Sequence, residues 1–277
     1  MGRWFAKFLK SNGYKVIISD RNRQSARTCA RKLGIEFAED YVPAVKKSDI
    51  VLLATPTNVS NRILTQLGRE LEKGTLVVEI SSMKGPVRRA ISTLEENGVP
   101  VLSIHPMFGP GTRKLEGRSI LVVSKTRHPE ARRLLETFQR LGARMVPCSI
   151  DKHDTLASIV IALPHLMNIS LIETLRSLRI SMNEVNMASG TTFKLQSLIA
   201  ETIYQEDHAN ELSILADSKR SVLQTYSHRV RLILDAIQNN PERISSLLSA
   251  GRRFVEADRH FQDSYERFNA AVQATLA

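Results

Sequence analysis

Apolar positions follow two different rhythms along this chain. Up to about residue 149, short apolar runs alternate with amphipathic stretches. The runs lie at 14–20, 50–54, 75–80, 101–104, 119–124 and 144–148, with a short extended piece at 35–37. The run 50–54 is continuously apolar, as a parallel strand covered on both faces is. Between them, helical spacing marks 2–9, 23–33, 42–47, 58–71, 87–97 and 129–141, with Gly34 and Gly98 placed as stops. Strand and helix in alternation predict an α/β fold with a parallel sheet. From residue 151 no strand pattern recurs. Helical patterns fill 151–178, 182–205, 207–238, 241–248 and 251–275. The change predicts two domains: an α/β domain over 1–149 and an all-α domain over 150–277. Asp151 is placed to cap the first helix of the second domain, with Asp154 an acid in its first turn.

Composition agrees with a globular chain. Of 277 residues, 42% are hydrophobic and 24% charged, enough for two cores. The formal net charge of +11 points to an anionic ligand or to nucleic acid. Aromatic residues are only 5%, and the basic residues are spread over helices, which argues against nucleic acid. Cys29 and Cys148 match no metal or redox spacing, so a reducing, cytoplasmic compartment is expected, without a metal. No signal-peptide pattern opens the sequence. The most membrane-like run, 156–172, holds Pro164, His165 and Asn168; a buried core helix is expected there, and no membrane partner.

The candidate chemistry sits at two strand ends. Ser81-Ser82-Met83-Lys84-Gly85 follows one strand, and His105-Pro106-Met107-Phe108-Gly109-Pro110-Gly111 ends another about one βα unit later. Such ends face one crevice at the carboxyl edge of a sheet. Taken singly, Ser82 could cap a helix and His105 could be structural. Gly2 opens the first helix and Asp20 ends the next strand, the spacing of the last glycine of a dinucleotide fingerprint and the acid that takes the ribose hydroxyls. The strand and earlier glycines of that fingerprint would lie upstream of Met1. The expectation is an internal start, with roughly 10 more residues in the full protein; a chain truly lacking that strand would expose a sheet edge and bind a dinucleotide poorly. Asp20 favours NAD over NADP, while Arg21 and Arg23 leave NADP possible. Thr55-Pro56-Thr57, after the run at 50–54, would lie along the cofactor or form an ordinary turn. His128, His153, His208, His228 and His260 show no metal-ligand pairing and are expected to be solvent-facing or structural.

The motifs at 81–85 (SSMKG), 105–111 (HPMFGPG) and 162–165 (ALPH), on an α/β domain followed by helices, resemble the prephenate dehydrogenase family, particularly its archaeal forms. Residues 1–21 are similar to that family from the last fingerprint glycine onward. The resemblance implies a Rossmann-like domain, a helical dimerisation and substrate domain, and a homodimer. It also implies oxidative decarboxylation of the dianion prephenate to 4-hydroxyphenylpyruvate, in tyrosine biosynthesis, with NAD or NADP accepting hydride. By the same resemblance His105 accepts from the substrate's ring hydroxyl, Ser82 orients that hydroxyl, and His165 lines the substrate side. Where the family carries a carboxylate-gripping arginine, this chain has Glu201. Lys194 or Arg229 could take that role, and arogenate or a non-catalytic function stay open.

Overall fold

A computed structural model of the chain describes residues 1–68, 70–71, 74–124, 126–205 and 208–276, and of residues 208–211 and 276 the backbone alone. It divides into two compact units, Met1–Leu156 and Ala157–Ala277.

The first unit opens with helix α1 (Gly2–Ser11), then strand β1 (Ile17–Ile18), α2 (Arg23–Leu33), β2 (Glu36–Phe37), α3 (Tyr41–Val45), β3 (Ile50–Leu53) and α4 (Thr57–Leu67). It continues through β4 (Leu76–Glu79), α5 (Arg88–Glu96), β5 (Val101–Pro106), β6 (Ser119–Val122), α6 (Pro129–Arg140), β7 (Arg144–Pro147) and α7 (Ile150–Ala157). Local chemistry sets the ends. Asn22 caps α2, its side chain accepting from Ser25 N–H, and Gly34 closes the helix in the left-handed region at φ 60°. His128 begins α6 by accepting from Glu130 N–H, with Pro129 in the first turn.

Strands β3-β4-β5-β6-β7 form one sheet, and β1-β2 form a separate parallel pair. Among the described residues, β1 therefore pairs only with β2, and β3 only with β4. The sheet is not wholly parallel: β6 runs antiparallel to β5, with Ile104 opposite Val122 and His105 opposite Leu121. The reason is local. No helix crosses over between them; a loop over 107–118 carries the chain back. The continuous apolar run at 50–54 is also less covered than expected. In β3, Val51 and Leu53 are buried while Ile50 and Leu52 are half-buried, whereas β4 and β5 are buried throughout.

The core lies on both faces of β4 and β5. On one face Phe5 and Phe8 of α1 meet Leu76, Val78, Leu102, Ile104 and Phe138. Phe8 stacks on Phe138 at 4.8 Å, and Trp4 meets Phe108 at 5.0 Å while its indole N–H donates to Thr112 O at 2.8 Å. Helix α1 thus pins the loop that follows His105.

The second unit holds a π-helical turn (Ser158–Ala162), α8 (Leu163–Ser177), α9 (Met182–Ala188), α10 (Thr191–Gln205), α11 (His208–Asp217), α12 (Arg220–Asn239), α13 (Pro241–Val255) and α14 (Ser264–Leu276). The expected helix over 151–178 forms as one helical stretch, Ile150–Ser177, with the π turn inside it. Pro164 supplies no backbone N–H and crowds the carbonyl four residues back, and the wider turn accommodates both. Ser189-Gly190 breaks the pattern expected over 182–205, and Ser218-Lys219 the one over 207–238, whose first residue, Asp207, lies outside the described residues. Helix α8 packs on α10, where Gln196 donates to Asn168 Oδ1 at 2.6 Å. The helical stretch Ile150–Ser177 is long and apolar enough to cross a membrane by length and composition, yet only 22% of its most apolar window is buried. A fully buried core helix is thus not what forms: Ile159 and Val160 are about half exposed, at 45% and 52%.

Candidate active site

Parallel pairing of β4 with β5 sets Glu79 beside Ser103, so the chain just beyond each strand reaches the same carboxyl edge. His105 is the penultimate residue of β5 and is buried; Ser82 lies in the bend after β4 and is half-buried. The two sequence-chosen groups therefore occupy neighbouring strand ends. Ser82 makes no side-chain hydrogen bond among the described residues, and the hydroxyl of Ser81 beside it is buried without a partner.

Beneath them lies a polar network that the sequence pattern did not reveal. Lys84 turns inward and is fully buried. Its ammonium donates to Glu79 Oε1 at 2.6 Å and to Ile104 O at 2.8 Å. Ser103 Oγ also donates to Glu79 Oε1, and Ser81 N–H to Glu79 Oε2 at 2.9 Å. Burial pulls the Lys84 ammonium below its ordinary value, against the restoring pull of Glu79. Such a pair depends on further hydrogen bonds to offset its desolvation, and Ile104 O, Ser103 Oγ and Ser81 N–H supply three of them.

A second chain of bonds runs from α7. His153 Nε2 lies 3.0 Å from His105 Nδ1, and His153 Nδ1 lies 2.7 Å from Asp154 Oδ1. Asp154 also accepts from Lys84 N–H at 2.8 Å and Gly85 N–H at 2.7 Å. Burial works to raise the Asp154 carboxyl, but the bonds from His153 and the two backbone N–H groups hold it below the usual value. Burial, then the charge of Lys84, holds the ring of His105 well below the ordinary histidine value, so it is neutral near pH 7.

These contacts sharpen the expectations. Of the two expected readings, solvent-facing or structural, His153 takes the second: it is fully buried and bonded to His105. Asp154 does not merely complement a helix dipole; it binds the loop that carries Ser82. Asp151 is exposed and pairs with Arg88 at 3.1 Å. The first compact unit accordingly runs past the expected boundary at 149, to Leu156. His128 is structural as expected, through its bonds to Glu130 N–H and Gly74 O; His228 and His260 are exposed, and the side chain of His208 lies outside the described residues.

The expected cofactor residues lie at other strand ends of the same unit. Gly2 starts α1 against β3's end: a Cβ there would stand 3.6 Å from Ala54 Cβ. Asp20 is exposed after β1, its carboxylate accepting from Asn22 N–H at 2.8 Å, and Arg21 is exposed beside it. Thr55 and Pro56 follow β3 half-buried, and Thr55 Oγ1 bonds Ser60 Oγ at 2.8 Å, as an ordinary turn would. A helix start, an acid after β1 and a turn after β3 are some of the parts of a dinucleotide site, although β1 and β3 do not pair with each other among the described residues. In the second unit, His165 is half-buried on α8 one turn before Asn168. Lys194 is half-buried on α10, two residues before Gln196 and so on another side of that helix; Glu201 and Arg229 are exposed.

The nucleotide-binding domain model of prephenate dehydrogenase matches residues 5–146, more than half of the chain. The chain belongs to the prephenate dehydrogenase family. A probable arogenate/prephenate dehydrogenase of Methanocaldococcus jannaschii is 29% identical over 96% of this chain and 60% of its own length. The chain spans about three fifths of the length of the first curated relatives it matches. Prephenate dehydrogenase of Aquifex aeolicus, solved with hydroxyphenyl propionate and NAD+, shares the fold at TM-score 0.64 and 19% identity, covering 93% of this chain and 95% of its own. Synechocystis arogenate dehydrogenase does so at 0.59 and 18%, covering 93% and 96%.

Proposed function

We propose that the chain is the catalytic part of a dehydrogenase that oxidatively decarboxylates prephenate to 4-hydroxyphenylpyruvate, in tyrosine biosynthesis. The observation that carries this reading is His105: a buried, neutral imidazole at the end of β5, with Ser82 in the bend after the neighbouring strand β4. NAD(P), when bound, would supply the hydride acceptor. Gly2 and the start of α1 would take its phosphates, Asp20 with Arg21 its ribose hydroxyls, and Thr55-Pro56 would lie along it. His105 accepts the proton of the substrate's ring hydroxyl as hydride leaves the carbon that bears it. Ser82 holds the same oxygen in line. Carbon dioxide then leaves from the opposite ring position, its bonding pair completing the aromatic ring. A neutral acceptor suits this step because it can take the proton without first losing one.

His165 and Lys194 are assigned to the substrate side, Lys194 in place of the arginine for which Glu201 stands. The family's names cover both prephenate and arogenate, so rates with the two, each with NAD and NADP, form the test. Reduction of the dinucleotide with prephenate supports the proposal; turnover of arogenate alone would transfer the activity to that substrate, and none with either would favour a non-catalytic relative. The same reading makes the protein a cytoplasmic homodimer joined through the helical unit. Leu198, Ile199, Leu234 and Ile237 are each 43–58% exposed, Ile233 likewise, an apolar surface that a second copy would cover. Light scattering that shows a monomer at micromolar concentration would remove the dimer.

A further inference from the structure

We propose that His153 and Asp154 are positioning residues that decide which nitrogen of His105 carries its proton. The proposal rests on the reading of His105 as acceptor for the substrate hydroxyl and deepens it. Asp154, His153 and His105 stand in one bonded line, with spacings of 2.7 and 3.0 Å, and are 6%, 0% and 5% exposed. Water has almost no access, so each bond needs one hydrogen and one lone pair from the groups themselves.

The order of protons follows from the Asp154 end once His153 is taken as neutral, which is part of the proposal. Asp154 already accepts from Lys84 N–H and Gly85 N–H, and an ionised carboxylate has no hydrogen to give. The hydrogen of its bond to His153 therefore sits on His153 Nδ1. In a neutral ring Nε2 then carries the lone pair and accepts. The hydrogen between the two rings sits on His105 Nδ1. The neutral ring of His105 is left with a bare Nε2, on the side away from His153. That is the atom the reaction needs. The opposite order would make His153 an imidazolium that donates to His105, moving the hydrogen of His105 onto Nε2 and leaving no acceptor for a hydroxyl. Among the described residues, the charged and titratable groups near this line include Lys84 and Glu79 from the β4 side and Cys148 before α7, with Lys152 beside Cys148.

The line also has a second job when His105 takes a proton on Nε2. Its Nδ1–H stays bonded to His153, so the imidazolium forms without any group turning, and the Asp154 carboxylate stands behind it. Because Asp154 grips the backbone of Lys84 and Gly85, the same carboxylate registers the Ser82 loop against His105.

The test uses the 277-residue protein labelled with 15N at histidine, with two-bond nitrogen–hydrogen spectra and the His105 signals assigned by their loss in His105→Asn. The wild type should show His105 and His153 both as Nδ1–H tautomers. His153→Leu should shift His105 toward the Nε2–H form and lower kcat at least about tenfold, part of the 10²–10⁴ that a positioned acid or base contributes. His153→Gln, whose amide oxygen can accept from His105 Nδ1–H, should keep the tautomer and recover most of kcat. A wild-type His105 protonated on Nε2 would overturn the proposal even if no His153 variant folds. So would a folded His153→Leu protein with unchanged tautomer and kcat. An Nδ1–H signal in a wild type that turns over neither prephenate nor arogenate would uphold the proton order while removing the assigned reaction.

Discussion

The carboxyl ends of β4 and β5 and those of β1 and β3 belong to one compact unit, yet they are built in opposite ways. Around β4 and β5 every strand residue is buried, and Glu79, Lys84, Ser103, His105, His153 and Asp154 bond one another across segments far apart in sequence. Around β1 and β3 the strands are short or half-buried, and the polar groups bond only near neighbours: Asp20 to Asn22, Thr55 to Ser60. The difference teaches that the two halves of the proposed site reach their working geometry by different routes. In the proposed substrate-hydroxyl half the polar groups are bonded to one another within the fold. In the proposed dinucleotide half they sit on turns and bond only near neighbours.

The largest test of this contrast is Lys84→Met. It removes the ammonium while leaving the Glu79 carboxylate buried, and should cost about 3–5 kcal/mol of stability in urea unfolding. Adding Glu79→Gln should restore part of that loss; a single variant as stable as the wild type would show that the network is not what holds this edge. Next comes His105→Asn, expected to lower kcat by at least about a hundredfold, or about 2.7 kcal/mol, with the circular dichroism spectrum unchanged.

A smaller effect lies in the pH dependence of stability. The folded state depresses the proton affinity of His105, so the unfolded chain binds that proton more tightly. Stability is then full above the ordinary histidine value of about 6.5 and falls as pH drops from there toward the folded value. Asp154, also depressed, contributes in a lower window: its share is full above the ordinary aspartate value of about 3.9 and is lost as pH falls through the folded one. Urea midpoints across this range should decline on the acid side for the wild type, and more weakly just below about pH 6.5 for His105→Asn. The smallest effect is expected on the other half. Asp20→Ser should raise KM for NAD by no more than about tenfold, roughly 1.4 kcal/mol, and change stability little, because the carboxylate is exposed.

The same contrast governs what could be read from the sequence. The strands and helices of the first unit follow from local periodicity, and Ser82, His105 and Asp20 stand out because each ends an apolar run. Lys84 was visible inside its motif, but nothing local says that a lysine turns inward; Glu79 and Ser103, which receive and share it, lie on two different strands. His153 and Asp154 look like the first turn of an ordinary helix, and only the fold brings that turn to β5. The antiparallel β6 was missed because strand direction is not written in an apolar run. The widened turn before Pro164 and the break at Ser189-Gly190 carry residue signals, but helical periodicity continues across them and hides both.

Trp4 gives the α1 contact a further consequence. It is the one tryptophan among 277 residues, and it sits at a joint: its ring against Phe108, its indole N–H on Thr112 O. All indole emission of the chain therefore originates where the first helix clasps the loop leaving His105. Displacement of that loop alters the polarity around a single fluorophore, so the protein carries its own optical gauge beside the chemistry, with no label to attach.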